Sequence, residues 1–242
     1  MYDKMISKAC GLKYRNGNTE EIEDTVVIEE KIKLYLNGEF FIEMVASDDF
    51  LAELGAGFFI ASGIAEKILS VKVEGLSVFV EAERIKKVEG ALESAGGFDP
   101  GVSNKIVSSQ QTITPEIIFK MRSDLDADVW NETGGLHCTV LYSRGKKAAM
   151  FSDIGRHNTV DKAIGFMVLN NLNPAECAIG CTGRQPSGMV VKAVNAGIPI
   201  IVSRAASTTA GIKLAEKSNV TLICFTREGR FTIYAGAQRV IF

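Results

Sequence analysis

The 242-residue chain carries 27 Lys plus Arg against 29 Asp plus Glu, a formal net charge of -2, with 46% hydrophobic and 23% charged residues and only five prolines. Such a chain buries a full core, its balanced charge excludes a general basic field for a nucleic-acid backbone, and its composition excludes disorder as a general description. No run approaches the roughly 18 apolar residues of a membrane span, the start from Met1 to Cys10 lacks the apolar core of a secretory signal, and the scattered Cys10, Cys138, Cys177, Cys181 and Cys224 read as reduced thiols, so a cytoplasmic protein is expected.

Alternation from Thr25 to Val45, with Ile32, Leu34 and Leu36 leading through Asn37-Gly38 into Phe40, Ile42 and Met44, predicts a hairpin. Ser47, Asp48 and Asp49 supply a helix start before an apolar helical face at Phe50, Leu51, Leu54, Phe58 and Ile64, which Gly55 and Gly57 weaken. Short strands around Val71 to Val73 and Ser77 to Val80, then a charged helix from about Glu83 to Ser94, complete a smaller α+β portion. Gly96-Gly97 and Asp99-Pro100-Gly101 break it off. A polar stretch, Ser103 to Gln111, leads to Thr114-Pro115-Glu116, the cap and first-turn proline of a helix reaching about Asp126.

From Leu136 onward strands and helices alternate. Strands are expected at Leu136 to Tyr142, Ala148 to Phe151, Cys177 to Cys181, Ile198 to Val202, Val220 to Phe225 and Phe231 to Tyr234, with a turn at Arg144-Gly145. Helices are expected at about His157 to Leu169, Met189 to Asn195 with a stop at Gly197, and Thr209 to Lys217. The rhythm predicts a largely parallel sheet covered by helices, with ligands held where strands end and helices begin. The chain divides accordingly into 1–109 and 110–242.

The strand-to-helix turns hold the polar residues. They run from Ser152 to Asn158, with Asp153, Arg156 and His157; from Thr182 to Ser187, with Gly183 and Arg184; from Ser203 to Thr209, with Arg204 and Thr208; and from Thr226 to Arg230. Parallel strands would gather these turns at one edge, where free N–H groups at helix starts, hydroxyls and arginine forks favour an anion. A single such turn equally serves to cap a helix and meet water; four together favour a phosphate or nucleotide site. His157 with Asp161 one helical turn later could hold a tautomer as a general base does, although a structural, hydrogen-bonded histidine at a helix start is the commoner case, and His137 is read the same way. Gly55-Ala56-Gly57 lacks the third glycine of a dinucleotide fingerprint, a Walker loop is missing, and Cys177 with Cys181 has no second ligand pair, so no metal site is expected.

Several spaced motifs resemble the formate dehydrogenase accessory sulfurtransferases of the FdhD/NarQ type. They are Asp153 to Asn158 with Asp161-Lys162, Gly183-Arg184 and Ser187 with Met189-Val190 and Lys192, Gly197-Ile198-Pro199, Ser203 with Thr208, and Phe225 to Arg230. Gly55 to Gly63 and Thr133-Gly134-Gly135 with His137 extend the likeness over most of the chain. The resemblance implies a cytidine-deaminase-like three-layer α/β domain behind the smaller α+β portion, usually in a homodimer. It implies that molybdenum bis(molybdopterin guanine dinucleotide) is bound as cargo, with GDP or GMP as analogues, through Phe225, Thr226, Arg227, Glu228, Gly229 and Arg230. It further implies sulfur taken from a cysteine desulfurase and passed to that cofactor before it enters formate dehydrogenase. Zinc deaminase chemistry does not follow, because His137-Cys138-Thr139 lacks the Glu and no P-C-x-x-C occurs.

One departure bears on the sulfur step. The family's C-x-x-C pair would fall in Ser108-Ser109-Gln110-Gln111-Thr112-Ile113-Thr114, where Gln110 and Ile113 stand at the two cysteine positions. Neither side chain carries a persulfide, so no catalytic residue is expected there. Cys138, Cys181 and Cys224 are the substitute thiols, each in an apolar strand pattern that also suits inert packing. Three readings follow: a sulfur-carrying accessory protein, a cofactor chaperone or guanosine-phosphate binding module without sulfur transfer, and a distinct enzyme using His157 and Asp161.

Overall fold

The computed structural model describes residues 5–84, 91–92, 98–99, 104–125 and 133–242. Strands β1 (Ile6–Arg15) and β2 (Asn18–Val27) form a long antiparallel arm closed by Asn16-Gly17, both with positive φ. Sequence alternation starting at Thr25 covers only the last three residues of this arm, whose residues are exposed along almost their whole length. Strands β3 (Glu30–Leu36) and β4 (Glu39–Ala46) are the expected hairpin. Asn37 (φ 50°) and Gly38 (φ 82°) supply the two left-handed residues that a tight two-residue turn needs. Strands β5 (Ala65–Glu74) and β6 (Ser77–Arg84) extend well beyond the short strands expected, and the sheet order is β4-β3-β6-β5. The charged helix expected over Glu83 to Ser94 does not form at its ends: residues 83–84 continue β6, and β7 (Ala91–Leu92) pairs with β8 (Phe98–Asp99). The remainder of that helix, Gly96-Gly97, Pro100-Gly101, Ser103 and Asp126 lie outside the described residues.

Helix α1 (Leu51–Ala61) follows β4, and its start differs from expectation. Phe50, at φ 50°, occupies the cap position without a side-chain cap. Ser47 and Asp49 are taken by long-range contacts instead, as shown below. The two glycines also act otherwise than as weak points. A Cβ on Gly55 would sit 2.5 Å from Val78, and one on Gly57 would sit 1.7 Å from the Asp161 carbonyl oxygen. They let α1 lie between the small sheet and a second helix, so it is buried nearly all round, as its uniformly apolar sequence requires.

The second sheet has the order β10-β9-β11-β12-β13-β14, comprising β9 (His137–Ser143), β10 (Lys146–Asp153), β11 (Cys177–Cys181), β12 (Ile200–Ser203), β13 (Thr221–Arg227) and β14 (Arg230–Ala235). It is mixed rather than largely parallel, since only β11–β12 and β12–β13 pair in parallel. The tight hairpins β9–β10 and β13–β14 impose antiparallel neighbours at both ends. β10, β11, β12 and β13 nevertheless all point the same way, so their carboxyl ends share one edge.

Alternate residues of this sheet face two layers. Val140, Tyr142, Ala178, Ile200, Val202 and Ile223 meet Ile118, Met121 and Leu125 of the α2 region, α2 running over Pro115–Ser123. On the other face, Leu141, Ile179, Ile201 and Leu222 pack with α3 (Arg156–Leu169), α4 (Ser187–Ala196) and α5 (Thr209–Lys217). The same core continues through α1 into Ile32, Leu34, Val78 and Val80 of the small sheet. The 109/110 boundary falls in an extended segment held by Val107 N to Ser218 O (2.9 Å) and Ile113 N to Arg239 O (2.8 Å). No helix among the described residues is long and apolar enough to cross a membrane.

Candidate functional site

All four polar turns reach the carboxyl edge, and hydrogen bonds stitch three of them together. Ser203 Oγ donates to Gly183 O (2.8 Å) and accepts from Ala205 N (3.0 Å). Gln185 N donates to Ala206 O (2.9 Å), Arg204 N to Cys181 O (3.0 Å), and Phe225 N to Ala205 O (3.1 Å). The Arg227 guanidinium donates to Arg204 O. The first turn joins them by close approach: a Cβ on Gly183 would lie 2.9 Å from Arg156 Cβ, so only glycine lets Arg156 pack there. Between these turns lies a cavity of about 210 Å³ lined by His137, Thr182, Arg204, Ala205 and Arg227. Three helix starts, at Arg156, Ser187 and Thr209, stand at the same edge, where N–H groups and the helix dipole favour an anion.

Phe225 adds an aromatic surface beside this cavity. Its backbone is left-handed (φ 52°), the ladder to β14 is irregular between Cys224 and Arg227, and its side chain remains 43% exposed. Arg227, Glu228, Gly229 and Arg230 are exposed at the β13–β14 turn, whereas Thr226 is buried.

The expected crevice residues therefore separate. Arg156, Gly183 and Ser203 build the turn framework, and Thr208 caps α5 by accepting from Gly211 N (3.1 Å). Arg184 is exposed beyond the cavity lining, and Ser187 is half-buried in the first turn of α4. Asp153 is fully buried and its carboxylate is already used. Oδ1 accepts from Gly155 N (2.9 Å) and Asn158 Nδ2 (2.8 Å), while Oδ2 accepts from Ser47 N (3.1 Å) and pairs with Lys162 Nζ (2.7 Å). Lys162, also fully buried, reaches Asp49 Oδ1 at 2.5 Å. The Asp49 carboxylate is thereby taken from capping α1, while Ser47 contributes its backbone N–H and C=O. The network holds the segment before α1 against the start of α3.

His157 and Asp161 do not form a catalytic pair. Lys192 Nζ takes both oxygens of Asp161, at 2.7 and 2.8 Å, and burial holds that carboxyl above its ordinary range. His157 Nε2 is buried without a hydrogen-bond partner. Burial, together with the charges of Lys192 and Arg156, pushes the imidazole down to about 3. It stays neutral at pH 7 and lacks the oriented carboxylate that a general base needs.

The thiols are similarly withdrawn. Burial pushes Cys138, Cys181 and Cys224 each up to about 12, and Cys177 also upward, so little thiolate exists at neutral pH. Cys10 is exposed on the β1 arm. At the opposite edge of the sheet, Ser109 Oγ donates to Ala175 O (2.5 Å), Gln110 is exposed, and Ile113 is buried in the core under α2. No group of three or more His, Cys, Asp or Glu among the described residues is placed to hold a metal ion.

His137 is the lining residue that sequence reasoning set aside as structural. Its ring Nδ1 lies 3.1 Å from Thr182 Oγ1. The available signal was its position at the first residue of a strand whose start meets the four turns. Which partner it meets depends on residue 182, far along the chain.

Comparison with known proteins places these features in a family. The model of the FdhD/NarQ family matches residues 27–241. "Protein FdhD" of Methanocaldococcus jannaschii is 34% identical over 237 residues, covering 97% of this chain and 98% of that protein. "Sulfur carrier protein FdhD" of Wolinella succinogenes is 35% identical over 240 residues, covering 91% and 84% respectively. The crystal structure of a protein assigned as a formate dehydrogenase accessory protein from Desulfotalea psychrophila superposes with a TM-score of 0.83, 24% identity, and coverage of 98% and 100%.

Proposed function

Because the chain belongs to the FdhD/NarQ family, we propose that it is an accessory protein for formate dehydrogenase, acting on the molybdenum cofactor in the manner of the family's sulfur carriers. Its cargo is the bis(molybdopterin guanine dinucleotide) cofactor, received at the carboxyl-edge cavity. The observation that carries this reading is the convergence of Arg204, Arg227 and Thr182 on one cavity, at the sheet edge where three helices start and beside the exposed Phe225. Arginine forks and helix N-termini suit the pyrophosphate, and an exposed aromatic face suits a purine base. The two-faced mixed sheet supports the cytidine-deaminase-like architecture for this part of the chain. On the same reading it works in the cytoplasm as a homodimer, with a cysteine desulfurase and formate dehydrogenase as partners.

A second reading is favoured by a specific observation. Where the resemblance places the family's thiol pair stand exposed Gln110 and buried Ile113, and burial favours the protonated form of Cys138, Cys177, Cys181 and Cys224. The chain then holds the cofactor as a chaperone while sulfur arrives from another protein.

Guanosine diphosphate binding tests the site shared by both readings. Removing the Arg227 fork in Arg227→Ala should cost about 1.5–3 kcal/mol, or roughly tenfold to a hundredfold in affinity, read by calorimetry. Equal affinity in the variant, or no binding by the parent protein, would remove the site from this edge.

A further inference from the structure

The cavity contains one group able to change its charge near neutral pH, and its surroundings are built to accept both forms. Thr182 Oγ1 accepts from Cys138 N at 3.0 Å. Its own hydrogen has two acceptors within reach, His137 Nδ1 at 3.1 Å and Cys138 O at 3.4 Å. Cys138 O also receives Thr182 N at 3.0 Å, and a carbonyl accepts two hydrogen bonds, so Thr182 Oγ1 is able to donate to His137 Nδ1 or to accept from it. With the hydroxyl donating, Nδ1 is the acceptor and Nε2 carries the proton. If Nδ1 becomes protonated, the same hydroxyl accepts from it and rotates its hydrogen to Cys138 O. A backbone-held threonine thus serves the neutral and the charged ring without moving.

We propose that His137 is a binding residue for the anionic cargo, donating from Nε2 to a phosphate oxygen and taking up a solvent proton at Nδ1 when the anion arrives, with Thr182 as its positioning residue. The inference rests on the crevice reading above and adds to it that binding is coupled to proton uptake.

The charged neighbours give the coupling its sign. In the free protein, burial and the Arg156 guanidinium hold His137 below its ordinary range, opposed by Asp153. Arg204 and Arg227 line the same cavity, and burial with Arg156 favours the neutral ring before an anion arrives. A bound phosphate places negative charge beside those cations and favours the imidazolium. His157, the one other histidine, is held too low to titrate in this range. The buried Asp161 and partly buried Asp49 carboxyls, both held above their ordinary range, are the competing sites of proton uptake.

The test uses diguanosine diphosphate, whose phosphates are both esterified and do not titrate near neutrality. Calorimetry in two buffers of different ionisation enthalpy, between about pH 8 and about pH 5.5, reads protons taken up per ligand. The parent protein should take up a fraction of a proton approaching one, and bind about tenfold tighter at the acid end. His137→Gln should still bind but lose the uptake. Thr182→Val should blunt it, and Thr182→Ser should restore it. Uptake unchanged in His137→Gln would assign the proton to Asp49 or Asp161 and overturn the proposal. Binding that depends on Arg227 but takes up no proton would also overturn it, while leaving the crevice reading intact. No binding at either pH would overturn the crevice reading and this inference with it.

Discussion

Lys162→Met tests whether the buried ion network sets the stability of the whole assembly. The Lys162 ammonium is fully buried, 2.7 Å from Asp153 Oδ2 and 2.5 Å from Asp49 Oδ1. Methionine keeps most of the stem volume but leaves the facing carboxylates without their cation. Breaking one side of a buried pair typically costs about 3–5 kcal/mol. Asp153 retains three donors, Ser47 N, Gly155 N and Asn158 Nδ2, which places the expected loss toward the lower end of that range. For a chain of this length each kcal/mol lowers Tm by about 2–4 °C, so a fall of roughly 6–15 °C is expected.

The pH dependence of that loss gives a second readout. Burial already holds Asp49 above its ordinary range despite Lys162. Without the lysine this shift grows, and the folded variant binds more protons than the unfolded chain over a wider span. Its stability therefore rises as pH falls through that span, and the gap to the parent protein narrows on acidification. Urea denaturation at neutral and mildly acid pH measures both quantities. Asp49→Asn added to Lys162→Met should recover part of the loss, because it removes one of the stranded charges. A single variant within about 1 kcal/mol of the parent would refute the argument, as would a gap that widens on acidification.

Gln110→Cys and Ile113→Cys should behave differently on incubation with a cysteine desulfurase and cysteine. The exposed 110 position should gain one sulfur by mass spectrometry, whereas a thiol at buried position 113 should not; labelling at 113 alone would contradict the placement of this segment. Gly57→Ala forces a methyl to within 1.7 Å of the Asp161 carbonyl, and Gly165→Ala makes the reciprocal clash at 1.8 Å from Glu53 O. Because each obstacle is helix backbone, both should cost at least about 1–3 kcal/mol in urea denaturation, and a neutral outcome in both would mean that α1 and α3 do not cross there.

Local signals made much of the fold legible. Asn37-Gly38 marked its hairpin, Thr114-Pro115-Glu116 marked the start of α2, and Gly197 in its left-handed conformation stopped α4. The β1–β2 arm escaped because strands exposed on both sides need no apolar face, although Asn16-Gly17 carried the same turn signal as Asn37-Gly38. Strand direction escaped because periodicity is identical in parallel and antiparallel neighbours. Only connection length distinguishes them, and the two-residue links Arg144-Gly145 and Glu228-Gly229 already required antiparallel pairs.

The site was legible to the extent that its chemistry is local. A turn displays its glycines, hydroxyls and arginines in sequence, but not which of them will be consumed by partners elsewhere. Asp153 and Arg204 carry equally suggestive charges in similar turns. Asp153 meets Lys162 and the backbone of Ser47, more than a hundred residues away in the chain, and is spent on structure. Arg204 gives its carbonyl to Arg227 while its residue remains at the cavity wall. His137 reverses the case, since a residue read as part of a buried strand opens onto the cavity because Thr182 arrives beside it. The residues that face a ligand are those left after the fold has assigned the others, and that assignment is made by long-range pairs such as Lys162 with Asp49 and Lys192 with Asp161.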